Sequence, residues 1–270
     1  MSIQQPIGVF DSGIGGLTAL HKLVELLPKE NFIYLGDTAR VPYGNLSPST
    51  IEQYGLECAQ FLLSQSVKLI LVACNTVSSV ALNTIAQVSP VPVIGVIKPA
   101  VAVAMRYATP QRKIAIIGTR ATIHSRAYEM EIEAHAAKTA QNVWVQAIAC
   151  PLFVPLVEEG WHEHPATYAV VSEYLAPVKE KKPDSLILGC THYPFLKKVI
   201  HDILPEVDII DSGEEAAQTV ADFVLPTATE QGKNPNRTIT CYFTDLPHAS
   251  LAFMQTQLGL DHITVKQVSL

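Results

Sequence analysis

Charge is scarce in this chain: Asp, Glu, Lys and Arg make up 16% of its 270 residues, against 48% apolar residues. That composition excludes a disordered polyelectrolyte and supplies a sizeable core, enough for one large domain or two small ones. There is no long basic run and the formal net charge is −6, which argues against nucleic acid or an anionic membrane as the main partner. The opening residues, Met1-Ser2-Ile3-Gln4-Gln5-Pro6, have neither the basic nor the apolar region of a secretory signal. The fairly apolar stretch 91–105 holds Pro92, Lys98 and Pro99 and falls short of the ~20 residues a membrane-spanning helix needs. The five cysteines, at positions 58, 74, 150, 190 and 241, include no Cys-x-x-Cys. An odd, widely spaced set is neither a disulfide framework nor a zinc cluster, so the expectation is free thiols in a reducing cytoplasm.

What is present is alternation. Short β-rich apolar runs alternate with helix-like segments, which predicts an α/β fold with mainly parallel strands. Strands are expected over residues 7–10, 32–35, 69–73 and 93–96, and again over 114–117, 143–148, 186–189 and 207–210. The first residues of the two sets differ by 107, 111, 117 and 114. Offsets so steady predict two related four-strand halves. Between strands, Ile51, Tyr54, Cys58, Phe61 and Leu62 recur at helical spacing, with Ser49 and Glu52 as a capping box before them. Past Val224 come a polar stretch, an alternating run over 238–243 and a last amphipathic segment, a tail expected to pack back on the first half.

In doubly wound sheets, sites form beyond the carboxyl ends of strands, and the chemistry-bearing motifs all follow expected strands. Leu71-Val72-Ala73-Cys74-Asn75-Thr76 and Ile187-Leu188-Gly189-Cys190-Thr191-His192 are alike, their cysteines 116 residues apart. One buried cysteine is ordinary core material. Two in matching positions, each before residues able to cap a helix, predict a cleft with a thiol on each wall. A thiol's ordinary pKa of about 8.5 lets it both take and give a proton. Cys58, Cys150 and Cys241 fit the core instead. Asp11-Ser12-Gly13-Ile14-Gly15-Gly16 follows the first strand but lacks the G-x-G-x-x-G spacing of a dinucleotide loop. Its glycines suit tight turning near a small ligand. Asp11 is then either a proton-transfer or ammonium-holding group, or a helix cap. Asp37 and Arg40 flank a turn-rich loop, as ligand groups or as an ordinary surface pair. Gly118-Thr119-Arg120-Ala121-Thr122 offers hydroxyls and amides for a carboxylate, or plain N-capping. His192, two residues from Cys190, is a proton partner for that thiol or a substrate-orienting group. Glu158 fits either the cleft or a helix surface.

Together these pieces resemble the glutamate racemases, within the cofactor-independent aspartate/glutamate racemase superfamily. The matching segments are Asp11-Ser12-Gly13-Ile14-Gly15-Gly16-Leu17-Thr18, Pro42-Tyr43-Gly44, Ala73-Cys74-Asn75-Thr76, Gly118-Thr119-Arg120-Ala121-Thr122-Ile123, Phe153-Val154-Pro155-Leu156-Val157-Glu158 and Leu188-Gly189-Cys190-Thr191-His192-Tyr193-Pro194. The resemblance implies two α/β domains related by a pseudo-twofold axis, with mainly parallel sheets flanked by helices and the active site in the cleft between them. One domain would comprise residues 1–97 with 212–270, the other 98–211. It implies cofactor-free interconversion of L- and D-glutamate, the D form feeding peptidoglycan synthesis. Cys74 would be the base for the D enantiomer, assisted by Asp11, and Cys190 the base for the L enantiomer, assisted by His192. Glu158 and Asp37 match acidic positions linked to proton transfer. Ser12, Pro42, Tyr43, Gly44, Asn75, Thr76, Thr122 and Thr191 match substrate-binding positions, joined by Asp11, Cys74, Cys190 and His192 themselves. A cytoplasmic homodimer, with no metal and no membrane or nucleic-acid partner, is the expected setting.

The chemistry fits that reading. An amino-acid α-proton is a very weak acid, and no pyridoxal electron sink is expected. The site must hold the carboxylate with dense donors and exclude water. Three alternatives stand beside it: a racemase for another acidic amino acid such as aspartate, a two-lobed binding protein that needs no thiols, and a thiol–disulfide redox protein. The last would require Cys74 and Cys190 Cα atoms within about 7 Å.

Overall fold

Strands buried on both faces read as continuous apolar runs, and the runs expected from the sequence form parallel strands. The computed structural model describes residues 5–106, 111–225, 237–246 and 263–270. Its strands are β1 (Ile7–Asp11), β2 (Phe32–Gly36), β3 (Leu69–Val72), β4 (Val93–Gly95), β5 (Arg112–Gly118), β6 (Val143–Ala149), β7 (Ser185–Gly189), β8 (Asp208–Asp211), β9 (Ile239–Phe243) and β10 (Thr264–Gln267). Among the described residues they make two sheets, ordered β10-β9-β2-β1-β3-β4 and β6-β5-β7-β8. Every pairing is parallel. The inner order β2-β1-β3-β4 recurs, strand for strand, as β6-β5-β7-β8. This is the topological form of the steady sequence offsets.

The tail packs on the first half as expected: β9 pairs with β2 from Phe32↔Ile239 to Gly36↔Phe243. The polar stretch 226–236 and most of the closing amphipathic segment, 247–262, lie outside the described residues.

The period of two along each strand sorts side chains into layers. Ile7, Val9, Leu69 and Leu71 of one sheet and Ile114, Ile116, Ile187 and Ile210 of the other share one core. Between them lie the helices Leu17–Leu26, Ile97–Ala104 and Ser212–Val224, contributing Leu20, Val101, Ala104, Ala217 and Val220. The Ser212–Val224 helix touches β4 on one side and β7 and β8 on the other. The outer faces pack separately. Phe10, Ile70 and Val72 meet the Pro48–Ser64 helix through Ile51, Cys58 and Leu62. Ala115, Ile117 and Leu188 meet the Pro165–Lys181 helix through Val171 and Leu175. All five cysteines are free and buried. Among the described residues no helix is long and apolar enough to cross a membrane.

One local expectation is corrected. The Pro48–Ser64 helix is capped by Ser47, whose Oγ accepts from the Thr50 N–H at 3.3 Å, not by Ser49. Pro48 at the first helical position lacks an N–H and fixes φ, so the helix starts two residues earlier than the capping-box pattern implies. Glu52 instead accepts from the Thr84 hydroxyl.

Phe243 ties the tail to the core. It is fully buried, its ring centroid lies 5.8 Å from that of Tyr34, and it packs over Gly36. Phe243→Ala should therefore cost about 3–5 kcal/mol of unfolding free energy in urea titration. A loss below about 1 kcal/mol would show that the tail is not integral to the fold.

Candidate active site

The repeated strand order gathers corresponding loops at one place. Asp11 closes β1, Cys74 follows β3 by two residues, Thr119 follows β5 and Cys190 follows β7. β1 neighbours β3 and β5 neighbours β7, so each half brings two of these loops side by side. They line one cavity of about 200 Å³, which Cys74, Asn75, Thr76, Ser12, Tyr43 and Gly44 enter from the first half. Cys190, Thr191, His192, Thr119, Arg120 and Glu158 enter from the second, with Pro42 and Pro155 on the walls. Arg120 is the single Lys or Arg among these lining residues.

On the first wall, Cys74 is the residue preceding the Asn75–Val80 helix. Its Sγ lies 3.5 Å from the Ser12 hydroxyl. Burial pushes the thiol up to about 12, the nearby Asp11 carboxylate adds to this, and hydrogen bonds from Ser12 and the Val77 N–H oppose it. Asp11 is fully buried. Its Oδ2 accepts from the N–H groups of Gly16 (2.9 Å) and Gly13 (3.3 Å), while its Oδ1 has no partner. Gly16 is required here because a Cβ would stand 2.6 Å from Asp11 Cβ. Asp11 thus ties the turn over residues 13–16 without capping the Leu17–Leu26 helix, whose N-cap is Gly16 with no side-chain cap, and it keeps one oxygen available.

On the second wall, Cys190 Sγ stands 4.0 Å from His192 Nδ1, and His192 Nε2 stands 3.1 Å from Glu158 Oε1. Glu158 ends the Phe153–Glu158 helix after β6, which carries it to the cavity rather than to an outer helix surface. Burial alone would lower His192, but hydrogen bonding to Cys190 and Glu158, and the charge of both, outweigh it and hold the imidazole up at about 10. No α-helix begins directly at Cys190. Thr191 and His192 lead into the 3-10 turn Tyr193–Leu196, and only then into the Lys197–Ile203 helix.

Polar contacts stitch the halves together. Thr191 donates its hydroxyl to Asp11 Oδ2 at 3.4 Å. The Thr76 and Thr119 hydroxyls are 2.9 Å apart, while within the first half Asn75 Nδ2 donates to Ser212 Oγ at 3.0 Å. Tyr128 donates to Asn75 Oδ1 at 2.6 Å, so the Asn75 amide is spent on the protein and its backbone N–H is what remains for a ligand.

Three expected site residues, Asp11, Thr122 and Asp37, lie behind the cavity wall and do not line it. Thr122 is buried and bonded to Thr119 and Thr76. Asp37 is fully buried, so its pair with Arg40 is no surface pair. Asp37 Oδ2 accepts from Arg40 Nε at 2.6 Å and from the Tyr43 hydroxyl, and its Oδ1 from Thr244 Oγ1 at 2.9 Å. Burial, then neighbouring Cys58 and Asp37, raise the Tyr43 phenol, which therefore stays protonated and donates. From the motif that follows β5, Thr119 and Arg120 line the cavity, whereas the resemblance singles out only Thr122 as a substrate-binding position. Burial also pushes up Cys58, Cys150 and Cys241, the three thiols expected in the core. Among the described residues, no group of three His, Cys, Asp or Glu side chains is arranged to hold a metal ion.

Comparison with known proteins gives the same family from three directions. The Asp/Glu/Hydantoin racemase family model matches residues 7–220. A glutamate racemase of Geobacter metallireducens is 43% identical over 98% of this chain and 96% of its own. The crystal structure of the Francisella tularensis glutamate racemase in complex with D-glutamate superposes with a TM-score of 0.90 at 36% identity, covering 99% of this chain and 98% of the other. That of the Thermus thermophilus enzyme in complex with β-chloro-D-alanine gives 0.85 at 43% identity, covering 100% and 99%. With the repeated fold and the paired cysteine loops, these likenesses show that the chain belongs to the Asp/Glu/hydantoin racemase family and is an isomerase of its glutamate racemase branch.

Proposed function

We propose that this protein interconverts L- and D-glutamate by two opposed thiols acting on one α-carbon. The observation that carries the reading is the pair of cysteines at equivalent strand ends of a repeated fold, both lining one cavity, Cys74 in the field of Asp11 and Cys190 4.0 Å from His192. The D-glutamate held by the Francisella relative supports the same substrate here.

In this mechanism the Cys190 thiolate removes the α-proton of L-glutamate and becomes a thiol. The Cys74 thiol then gives its proton to the opposite face and becomes a thiolate. The product is D-glutamate, and the protein is left in the state that acts on the D enantiomer. Protons and charge balance without an outside reagent. The Cys74 thiol, held protonated by burial and Asp11, suits the donor role for L-glutamate. The His192 cation, oriented by Glu158, stabilises the thiolate opposite. Negative charge building on the substrate carboxylate meets the backbone N–H groups and hydroxyls of the Asn75–Thr76 and Thr119 turns. Asp11, through its free Oδ1, is assigned to the Cys74 side. Ser12, Thr76 and Thr191 supply further donors, and the Pro42-Tyr43-Gly44 turn shapes the pocket. Asp37 acts here as a positioning residue: it holds the Tyr43 hydroxyl and Arg40 and reaches no reacting atom itself.

On the same likeness we place the protein in the cytoplasm as a homodimer of two-domain subunits, divided as residues 1–97 with 212–270 and 98–211. Its D-glutamate would supply peptidoglycan synthesis. The shared family and the separate sheets support these assignments.

Circular dichroism of the purified protein with each enantiomer tests the reaction. Optical activity should decay from both L- and D-glutamate without added cofactor; decay with aspartate alone would move the substrate to the sister acid. Cys74→Ala and Cys190→Ala should each slow racemisation by about a hundredfold or more, and the double variant should be no worse than either single, because the thiols act as a unit. Full turnover in either single variant contradicts the two-thiol mechanism.

The pH dependence of the substrate-free protein follows from the Cys74 thiol held up to about 12. Its thiolate fraction rises about tenfold per pH unit below that value, so alkylation at Cys74, read by peptide mass spectrometry, should climb with that slope from pH 8 to 11. A plateau near pH 9 would show that burial does not hold the proton. The sign for stability is the same: unfolding exposes a thiol of ordinary pKa, so the buried proton stabilises the fold below about pH 9 and that contribution is lost as pH rises toward 12.

A further inference from the structure

Gly15 belongs to the first half yet faces the catalytic loop of the second. It is buried in the turn between β1 and the Leu17–Leu26 helix. A Cβ built on it would stand 2.3 Å from Thr191 Oγ1, 2.6 Å from His192 Nδ1 and 2.7 Å from His192 Cε1. The glycine is therefore needed for close approach to the other half, which is a different reason from that at Gly16. The contact is also bonded on both sides. Thr18 Oγ1 donates to the Gly15 carbonyl at 2.9 Å and lies 3.4 Å from the Thr191 carbonyl, while the Thr191 hydroxyl reaches Asp11.

The geometry points to Gly15 as a positioning residue for His192: its bare backbone is the surface against which the imidazole rests between Cys190 and Glu158, so the Cys74 half sets the geometry of the Cys190 proton partner. This rests on the two-thiol reading. The ring has few ways to yield. It is hydrogen-bonded at Nε2 to Glu158, buried, and two residues from Cys190. A methyl group at position 15 must displace the ring or the Thr191 hydroxyl, and both belong to the Cys190 wall.

The consequence is one-sided. Deprotonation of L-glutamate uses Cys190, and deprotonation of D-glutamate uses Cys74. In Gly15→Ala the Cys190 step slows and comes to limit both directions. kcat/KM should fall about tenfold or more in each direction, as the overall equilibrium requires. The deuterium isotope effect with α-deuterated L-glutamate should rise, and that with α-deuterated D-glutamate should fall toward unity. A generally loosened site would leave the balance between the two effects unchanged. In nuclear magnetic resonance titration, the His192 imidazole should move down from about 10 as it withdraws from Cys190 and Glu158.

The two readings fail differently. If the unmodified protein does not racemise glutamate, the proposed function fails. If it does, but Gly15→Ala leaves both isotope effects and the His192 titration unchanged, or moves both isotope effects together, the role of Gly15 is overturned. Should Gly15→Ala not fold, the Thr191→Ala/His192→Ala background removes both opposing side chains. Recovery of a native circular dichroism spectrum there supports the contact, and failure to recover overturns it.

Discussion

The cavity depends on a layer of helices that belongs to both sheets at once. The Leu17–Leu26, Ile97–Ala104 and Ser212–Val224 helices bury their apolar faces against β1 and β3 on one side and β5, β7 and β8 on the other. Parallel strands deliver their loops at one end, and a shared apolar layer leaves the two halves little freedom to slide, because packed interiors resist displacement. The thiols are therefore set against each other by core packing and not by a bond between their own loops. The polar contacts at the seam, Thr191 with Asp11 and Tyr128 with Asn75, add register to an arrangement that burial already fixes.

The two walls share a strand order but differ beyond it: Cys74 leads directly into an α-helix and the Cys190 loop into a 3-10 turn, and their electrostatics differ too. Cys74 sits with a buried carboxylate that disfavours its negative charge, whereas Cys190 sits beside a protonated imidazole backed by Glu158. A symmetric reaction does not demand symmetric walls. It demands that one wall hold a proton while the other accepts one, and different neighbours supply that difference. The proposed L-to-D half-reaction starts from this asymmetry.

Much of this was legible in the sequence, for a physical reason. The steady spacing brought out the less buried β4, β6 and β8. The central strands β1, β3 and β7 are buried on both faces and are continuous apolar runs, so they could be read directly. So could the candidate thiols, because each stands immediately after such a run. Contacts between residues far apart in the chain were not legible. Thr191 and Asp11 are 180 positions apart, and no local pattern announces that a glycine of one loop supports a histidine of another. Asp37 illustrates the same limit: as a polar residue in a turn-rich loop it read as surface or ligand-binding, but the tail residue Thr244 returns 207 positions later to bury it. The helix start at Ser47 was missed because proline at the first helical position outweighed the capping-box pattern centred on Ser49.

The central claim is that the proton leaving one face is not the proton arriving at the other. The direct measurement is racemisation of α-protiated L-glutamate in deuterium oxide, followed to low conversion by mass spectrometry of the separated enantiomers. The account predicts D-glutamate that carries deuterium at the α-carbon from the first turnovers, while the remaining L-glutamate keeps its protium. Early D-glutamate that retains the substrate's own protium would mean a single group carries the proton across, and would contradict the two-thiol account.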